Sequence, residues 1–173
     1  MPAICCDTKE RVLDSLKSRT KELAANLLSP VGKKAIVRDL QPTDVGLETE
    51  NWSITLTNSG WVNYTTFTVP DWTYIAIGSI FYCASERSTF PITKVRFSTG
   101  ACVIREFAIQ YLGALNETHR VLQSDEQVIF SSGANLTIDV YSTSNTGTVT
   151  IGFDGFVGEP AGRSISEPTL VDC

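Results

Sequence analysis

Few residues in this 173-residue sequence could carry catalytic chemistry. His119 is the only histidine, and with Cys102 it could form a nucleophile pair in which the imidazole takes the proton of the thiol. A reactive thiolate needs an exposed, electropositive environment. Cys102 instead lies in a strand-like segment, as does Cys83, and such positions favour a small buried thiol that fills the core.

Paired carboxylates are the other catalytic groups to consider, because two of them can hydrolyse a glycosidic bond. Asp125 and Glu126 are adjacent, so a strand would direct them to opposite faces and a loop would leave both in solvent. Carboxylates that are distant in sequence could still meet in space, and their spacing does not decide this. The sequence has neither a phosphate-binding glycine loop nor a G-x-S-x-G motif. We therefore predict a protein that is not an enzyme and carries no cofactor.

The cysteines do not match the ligand pattern of a metal site. No C-x-x-C spacing occurs among Cys5, Cys6, Cys83, Cys102 and Cys173. With a single histidine to help, a tetrahedral zinc site is not expected, and no metal is predicted. Cys5, Cys6 and Cys173 are predicted to be unpaired terminal thiols, with disulfides between subunits as the alternative.

Charge and hydropathy limit the partners of the chain. Fourteen Lys and Arg against nineteen Asp and Glu give a formal charge of −5, whereas a duplex-binding surface needs clustered positive charge. No apolar segment reaches the roughly 18 to 20 residues that span a bilayer. The N-terminal residues also lack the pattern of a signal peptide. We predict that the chain binds neither nucleic acid nor membrane and is made in the cytoplasm.

Aromatic residues concentrate between Trp52 and Tyr74. Their rings offer a large contact area at low entropic cost, so this segment can supply a sugar-binding face, a protein interface or part of the core. Trp72 follows a Pro-Asp turn, which places it at one end of a sheet. Trp72 is therefore the tryptophan favoured for contact with a partner.

One helix is predicted, over Asp7 to Leu28. Asp7 with Glu10 three residues later is typical of a capping box, and Pro30 follows the last turn. Residues recurring at spacings of three and four form a seam, namely Leu13, Leu16, Thr20, Leu23 and Leu27. Two arrangements remain open: about three copies bundle this seam on an oligomer axis, or the helix packs on its own sheet.

Residues Ser29 to Asn51 are predicted to form an extended arm with one short strand, Ala35 to Asp39. A connection of this length is typical of an exposed segment, so we expect it to reach a neighbouring subunit. Residues 1–41 and 163–173 are expected to lie outside the strand array and to carry attachment.

From Trp52 onward, alternating apolar and polar residues predict about nine or ten strands separated by turns. Thr73 to Cys83 is apolar on both faces, which indicates a central strand covered by the opposite sheet and by the helix or another subunit. Ala134 to Gly158 alternates on both sides of a Ser/Thr/Asn/Gly loop and predicts a β-hairpin around which the other strands are arranged.

The predicted fold class is mainly β. It is an antiparallel β-sandwich, jelly-roll-like, preceded by one N-terminal amphipathic helix and an extended arm. The predicted parts are residues 1–51 for the helix and arm, 52–162 for the β-sandwich, and 163–173 for a C-terminal tail.

A capped helix, an exposed arm, a Ser/Thr-rich sandwich without catalytic groups and the closing segment Gly152 to Pro160 resemble small virion proteins of tailed bacteriophages. These include capsid cement or decoration proteins and baseplate or fibre modules. The resemblance implies a non-enzymatic virion structural protein that stabilises the capsid by bridging neighbouring shell subunits. The alternative that it implies is a fibre or baseplate module that binds a receptor or a carbohydrate.

As a cement protein, the chain would act as a homotrimer in the virion, with the major capsid protein or other virion proteins as partners. The apolar seam and the two-faced strand add to this expectation, because they present more apolar surface than one monomer readily covers. The residues expected to meet other subunits are Leu13, Leu16, Leu23, Leu27, Ile36, Val37, Leu40, Val45 and Trp72.

Overall fold

The computed structural model describes residues 3–48, 50–82, 90–109 and 119–162, with helix side chains described from Lys9 onward. This part of the chain contains one α-helix, α1 (Ala3–Leu28), and 3-10 turns at Ser29–Val31 and Pro42–Val45. Its strands are β1 (Ala35–Asp39), β2 (Ser53–Thr55), β3 (Gly60–Thr68), β4 (Tyr74–Tyr82), β5 (Ile92–Thr99), β6 (Cys102–Ala108), β7 (His119–Val121), β8 (Val128–Phe130), β9 (Asn135–Ser142) and β10 (Thr148–Pro160).

The strands form two antiparallel sheets, and the fold is a mainly β sandwich with one N-terminal helix. Sheet one has the order β1-β10-β4-β7, with β2 also paired to β10 and β8 also paired to β4. Sheet two has the order β3-β9-β5-β6. The predicted fold class is confirmed, and the strand predicted at Ala35 to Asp39 has these bounds in the structure.

The main core lies between the two sheets. Phe153 of β10 meets Phe97 of β5 and Tyr64 of β3 edge-on, with ring centroids 5.5 Å and 5.7 Å apart. The hydroxyl of Tyr64 donates a hydrogen bond to the carbonyl oxygen of Ile151 at 2.6 Å. Burial raises the pKa of Tyr64 above its ordinary value, so this hydroxyl stays neutral in the core.

Helix α1 lies on the outer face of sheet one, where it contacts β1, β4 and β10. Its fully buried residues are Leu16, Thr20, Ala24 and Leu28. Two glycines permit a close approach of helix and sheet. A Cβ atom at Gly78 would lie 2.7 Å from Leu16 Cδ2, and one at Gly158 would lie 2.9 Å from the Ala24 Cβ atom. A side chain at Gly158 would therefore force the helix away from the sheet, whereas one at Gly78 would require the Leu16 side chain to move.

The structure confirms that the helix packs on its own sheet. The polar member of the seam, Thr20, is buried, and its hydroxyl donates to the carbonyl oxygen of Leu16 at 2.7 Å. The helix ends at Leu28 as predicted, but it begins at Ala3, so the capping box predicted at Asp7 is wrong. Because the helix already runs through the turn before Asp7, the backbone amides that a capping box would satisfy have acceptors within the helix.

Sheet one covers the apolar seam of the helix within the same chain. Strand β4 is covered on both faces, as predicted for Thr73 to Cys83, with the helix as the outer cover. Cys83 itself lies outside the described residues. Because one chain covers both apolar surfaces, they give no reason to expect a trimer, and the trimer stays a prediction.

The hairpin predicted over Ala134 to Gly158 is wrong. Both strands exist, but β9 pairs with β3 and β5 in sheet two, whereas β10 pairs with β1, β2 and β4 in sheet one. The alternation of residues shows that each segment has a buried face, and it does not identify the partner strand. The short connection crosses the roughly 10 Å between packed sheets instead of turning within one sheet. A hairpin does join β5 and β6, at Gly100 and Ala101.

The predicted arm folds back against its own sandwich. Strand β1 pairs with β10, so the expectation that residues 1–41 lie outside the strand array is wrong for this strand. Beyond β1, the amide of Leu40 donates to the carbonyl oxygen of Gly155 at 3.0 Å. The hydroxyl of Thr65 donates to the carbonyl oxygen of Val45 at 2.5 Å. Leu40 and Val45 are buried, and the apolar area that they remove from water favours this return.

A buried ion cluster fixes the arm at this point. The guanidinium of Arg38 donates to both carboxylate oxygens of Asp44 at 2.7 Å and to Glu159 Oε1 at 2.7 Å. The Asp44 side chain is 7% exposed and that of Glu159 is 6% exposed. The hydrogen bonds with Asp44 raise the pKa of Arg38 above its ordinary value, so the charge is retained despite burial. The cluster joins β1, the second 3-10 turn and β10 through side chains.

Leu16→Ala should lower the free energy of unfolding by about 2–5 kcal/mol, because it leaves a cavity between the helix and sheet one. Leu23→Ala is the matched control on the same helix, where the side chain is only half-buried, and it should cost clearly less. Urea denaturation at two protein concentrations measures both. Equal losses for the two variants, or a midpoint that rises with concentration, would contradict packing of the helix within one chain.

Candidate ligand-binding face

The outer face of sheet two carries a group of aromatic and charged side chains. Its strands turn Val62, Val95 and Val140 toward the core, so the alternate positions point outward. These outward side chains include Trp61, Asn63, Lys94, Arg96, Glu106, Asp139 and Tyr141, and we call this group the sheet-two face. The structure leaves this face accessible, since Tyr141 is 37% exposed and the Lys94 side chain is 45% exposed.

Two aromatic rings and a guanidinium form the centre of the sheet-two face. Trp61 and Tyr141 are cross-strand partners on β3 and β9, and their rings meet edge-on at 5.3 Å. Arg96 of β5 reaches across β9 and places its guanidinium carbon 4.1 Å from the centroid of the Trp61 ring. This cation–π contact orients the indole against the sheet.

Asp139 holds these groups in place. Its carboxylate accepts a hydrogen bond from Arg96 Nη2 at 2.8 Å and another from Asn63 Nδ2 at 3.1 Å. The Asp139 side chain is 14% exposed and that of Arg96 is 27% exposed, so the pair is partly shielded from water. The Nη1 group of Arg96 has no hydrogen-bond partner among the residues that the structure describes.

This arrangement has the groups that a ligand-binding surface needs. Fixed rings provide apolar contact area, and the guanidinium and amide groups beside them provide directional hydrogen bonds. Within the described part of the chain, no three His, Cys, Asp or Glu side chains cluster closely enough to hold a metal ion. The helix in that same part is not long and apolar enough to cross a membrane.

Three of the residues predicted to meet other subunits are buried. Leu16, Leu40 and Val45 are buried inside their own chain, so they offer no surface to a partner in this fold. Half-buried positions are occupied by Leu13, Leu23, Leu27, Ile36, Val37 and Trp72. For these residues contact with another subunit stays a prediction.

The aromatic residues divide between the core and the surface. Trp52 packs edge-on against Phe81 and Phe153, and Tyr64 is buried, whereas Trp61 belongs to the sheet-two face. Sequence reasoning singled out Trp72 and did not identify Arg96 as the partner of Trp61. The sequence signal for this face is the outward position of aromatic and charged residues on several strands. That signal identifies a common face only when the pairing of those strands is known.

The cysteine and histidine that could have formed a nucleophile pair are on different sheets. Cys102 begins β6 of sheet two and is exposed, so the expectation of a buried thiol is wrong for this residue. The edge position of β6 explains its exposure, because no described strand lies beyond it. His119 is on β7 of sheet one.

His119 belongs to a second polar cluster, on the outer face of sheet one beside the helix. Lys9 Nζ lies 2.9 Å from Asp154 Oδ2, and His119 Nε2 lies 3.9 Å from the same oxygen. Ser79 is the strand neighbour of Asp154, and its Oγ atom has no hydrogen-bond partner among the described residues. Ser, His and Asp are the residues of a nucleophilic triad, but Ser79 is fully buried and out of reach of a substrate.

The chain has a distant likeness to a solved structure. No protein-family model and no curated protein matches the chain. Among solved structures, it is similar to a carbohydrate-binding module from Cellvibrio mixtus lichenase 5A, in complex with cellotriose, with a TM-score of 0.29 and 14% identity. The likeness covers 70% of this chain and 95% of the module. At this TM-score it carries no argument about function, which must come from the side chains themselves.

The stability of the chain should depend on the protonation of His119. Burial lowers the pKa of His119 from its ordinary value of 6.5; Lys9 lowers it further and Asp154 opposes this. Between the folded-state pKa and 6.5 the unfolded chain binds more protons, so the free energy of unfolding should fall as pH falls through that window.

His119→Gln should remove this dependence, because His119 is the only histidine in the sequence. Urea denaturation of both proteins across the window provides the measurement. The difference between parent and variant should be constant above pH 6.5 and should change below it. Identical pH profiles for the two proteins would show that the folded state does not disfavour the protonated imidazole.

Proposed function

We propose that this chain is a non-catalytic binding module that holds an uncharged saccharide on the sheet-two face. The observation that supports this most directly is the cluster of Trp61, Tyr141 and Arg96, in which Arg96 covers one face of the Trp61 ring at 4.1 Å and the Tyr141 ring beside it stays exposed. Aromatic rings accept the apolar C–H face of a sugar ring. Fixed polar groups next to the rings bind the hydroxyls and set the orientation of the ligand.

The polar groups of this face are held before a ligand arrives. Asp139 fixes Arg96 and Asn63 through hydrogen bonds of 2.8 Å and 3.1 Å. Binding then costs little side-chain entropy, because the rotamers are already selected. The Nη1 donors of Arg96, for which the described residues provide no acceptor, are suited to a sugar hydroxyl.

The balance of charge on the sheet-two face favours an uncharged ligand. Arg96 is paired with Asp139, and Lys94 Nζ lies 3.1 Å from Glu106 Oε1. A polyanion such as nucleic acid would need unpaired cations in a row, and the chain carries a net charge of −5.

A structural role in a virion, as a capsid cement or decoration protein, is the second candidate. It is favoured by Val103 and Ile104, which are 55% and 40% exposed on the edge strand β6. Exposed apolar side chains on an edge strand are typical of a surface that meets another chain. In this role the chain would act as a trimer against the major capsid protein, after synthesis in the host cytoplasm. A fibre or baseplate module would combine both candidates, since it would present the saccharide site on a particle.

Trp61→Ala and Asp139→Ala should each weaken binding of a neutral oligosaccharide by about 30-fold, which corresponds to about 2 kcal/mol. The first removes the stacking surface, and the second releases Arg96 and Asn63 from their fixed positions. A glycan array identifies the ligand, and isothermal titration calorimetry measures its affinity for each variant.

Trp72→Ala is the matched control, because it removes a half-buried tryptophan that is not part of the sheet-two face. It should leave neutral-sugar binding unchanged. An array without any bound saccharide, or full affinity in Trp61→Ala, would contradict the proposal. A pull-down on intact particles tests the second candidate. If the chain is captured by particles, Val103→Asp abolishes the capture and no saccharide binds, the virion role would be favoured instead.

A further inference from the structure

Trp72 has a backbone conformation that a bulky side chain does not favour. Its φ of 65° lies in the left-handed region, where it is the one non-glycine residue among those described. Glycine takes this conformation without steric cost, so a tryptophan is retained here at the expense of strain. The amide of Trp72 donates to the hydroxyl oxygen of Ser132 at 2.9 Å, which holds the turn in this form. Strain of this kind clusters at ligand sites.

Two lysines lie beside the strained tryptophan. Lys33 Nζ lies 5.4 Å from the centroid of the Trp72 ring. Lys33 and Lys34 also line an open cleft of about 590 Å³, and the other described residues that line it are Pro160, Ala161 and Gly162. The amide of Ala161 donates to the carbonyl oxygen of Lys34 at 2.9 Å, which joins the two walls. Neither lysine forms an ion pair with any of the described residues.

Packing alone does not account for this combination. A cation–π contact at an exposed site contributes little, and a glycine would adopt the left-handed φ of this turn without steric cost. The two ammonium groups add positive charge to one end of a chain whose net charge is −5. An aromatic ring next to two cations that have no ion-pair partner among the described residues suits a ligand that is flat on one side and anionic at its edge.

We infer that the cleft and Trp72 form a second binding site, for an acidic saccharide that carries a carboxylate or sulfate group. Lys33 and Lys34 bind the anionic group, and the Trp72 ring contacts the sugar ring that carries it. The site lies at the end of the sandwich and uses none of the residues of the sheet-two face. With two lysines it provides point charges for one acidic group, and it lacks the extended row of cations that a nucleic acid requires.

The experiment titrates the full chain separately with an oligogalacturonate, a sulfated heparin tetrasaccharide and inorganic sulfate. Isothermal titration calorimetry measures the affinity for each probe. The first two probes distinguish a carboxylate from a sulfate, and the third tests whether the sugar ring contributes. We expect at least one of the two saccharides to bind. The Lys33→Gln/Lys34→Gln double variant should weaken that binding by at least about tenfold, since it removes both charge-assisted contacts.

Trp72→Gly separates a binding role from a structural one. It should abolish the preference for the saccharide over inorganic sulfate and change the urea midpoint little, because relief of the strain at φ 65° offsets the lost contacts of a half-buried ring. A lower midpoint with unchanged saccharide affinity would assign Trp72 to packing and overturn the inference.

Two control variants keep this test independent of the sheet-two face. Lys94→Gln removes a positive charge elsewhere on the surface and Trp61→Ala removes the other stacking ring, and both should leave acidic-saccharide binding unchanged. Failure of both saccharides to bind, equal affinity for inorganic sulfate, or loss of binding in Trp61→Ala would each overturn the second site. Neutral-sugar binding can fail or succeed separately from these outcomes.

Discussion

Burial of β10 on both faces is the constraint on which the rest of the fold depends. This 13-residue strand pairs with β1, β2 and β4, and its inner side chains, such as Phe153, fill the core between the sheets. Its outer face must also be covered, and the helix covers it across Gly158. A bulge between Asp154 and Gly155 changes the register where the helix and sheet meet. The N-terminal residues are therefore part of the fold: β1 extends sheet one, and the helix covers the outer face of that sheet.

The helix covers the outer face of sheet one, whereas Tyr141 and Lys94 on the outer face of sheet two stay accessible. An Arg–Asp pair occurs at each sheet, and the two pairs differ in their exposure to solvent. Arg38 and Asp44 are 14% and 7% exposed, and their hydrogen bonds join three elements of one chain. A buried pair of this kind contributes less to stability than to a defined arrangement, since desolvation offsets much of the attraction. Arg96 is more exposed, and its pairing with Asp139 orients it beside Trp61 on the face that we propose binds a saccharide.

Local periodicity was sufficient to predict the helix, its end at Leu28 and the short strand Ala35–Asp39, because each depends on neighbours in sequence. It was not sufficient to assign β9 and β10 to different sheets, because alternation gives a buried face without a partner. The sheet-two face was missed for the same reason. Arg96 and Asp139 are 43 residues apart, and their contact exists only once β5 and β9 are known to be paired. The return of Leu40 and Val45 to the core also depends on tertiary contacts that no local pattern encodes.

The most direct test of the saccharide-binding face is a titration followed by the indole N–H signals in an NMR spectrum. The chain has three tryptophans, which lie in the core, on the sheet-two face and at the end of the sandwich, so each signal reports one location. A neutral oligosaccharide should shift the signal of Trp61 and leave those of Trp52 and Trp72 in place. A shift of Trp72 alone, or no shift of Trp61 at saturating ligand, would contradict the assignment of the site to this face.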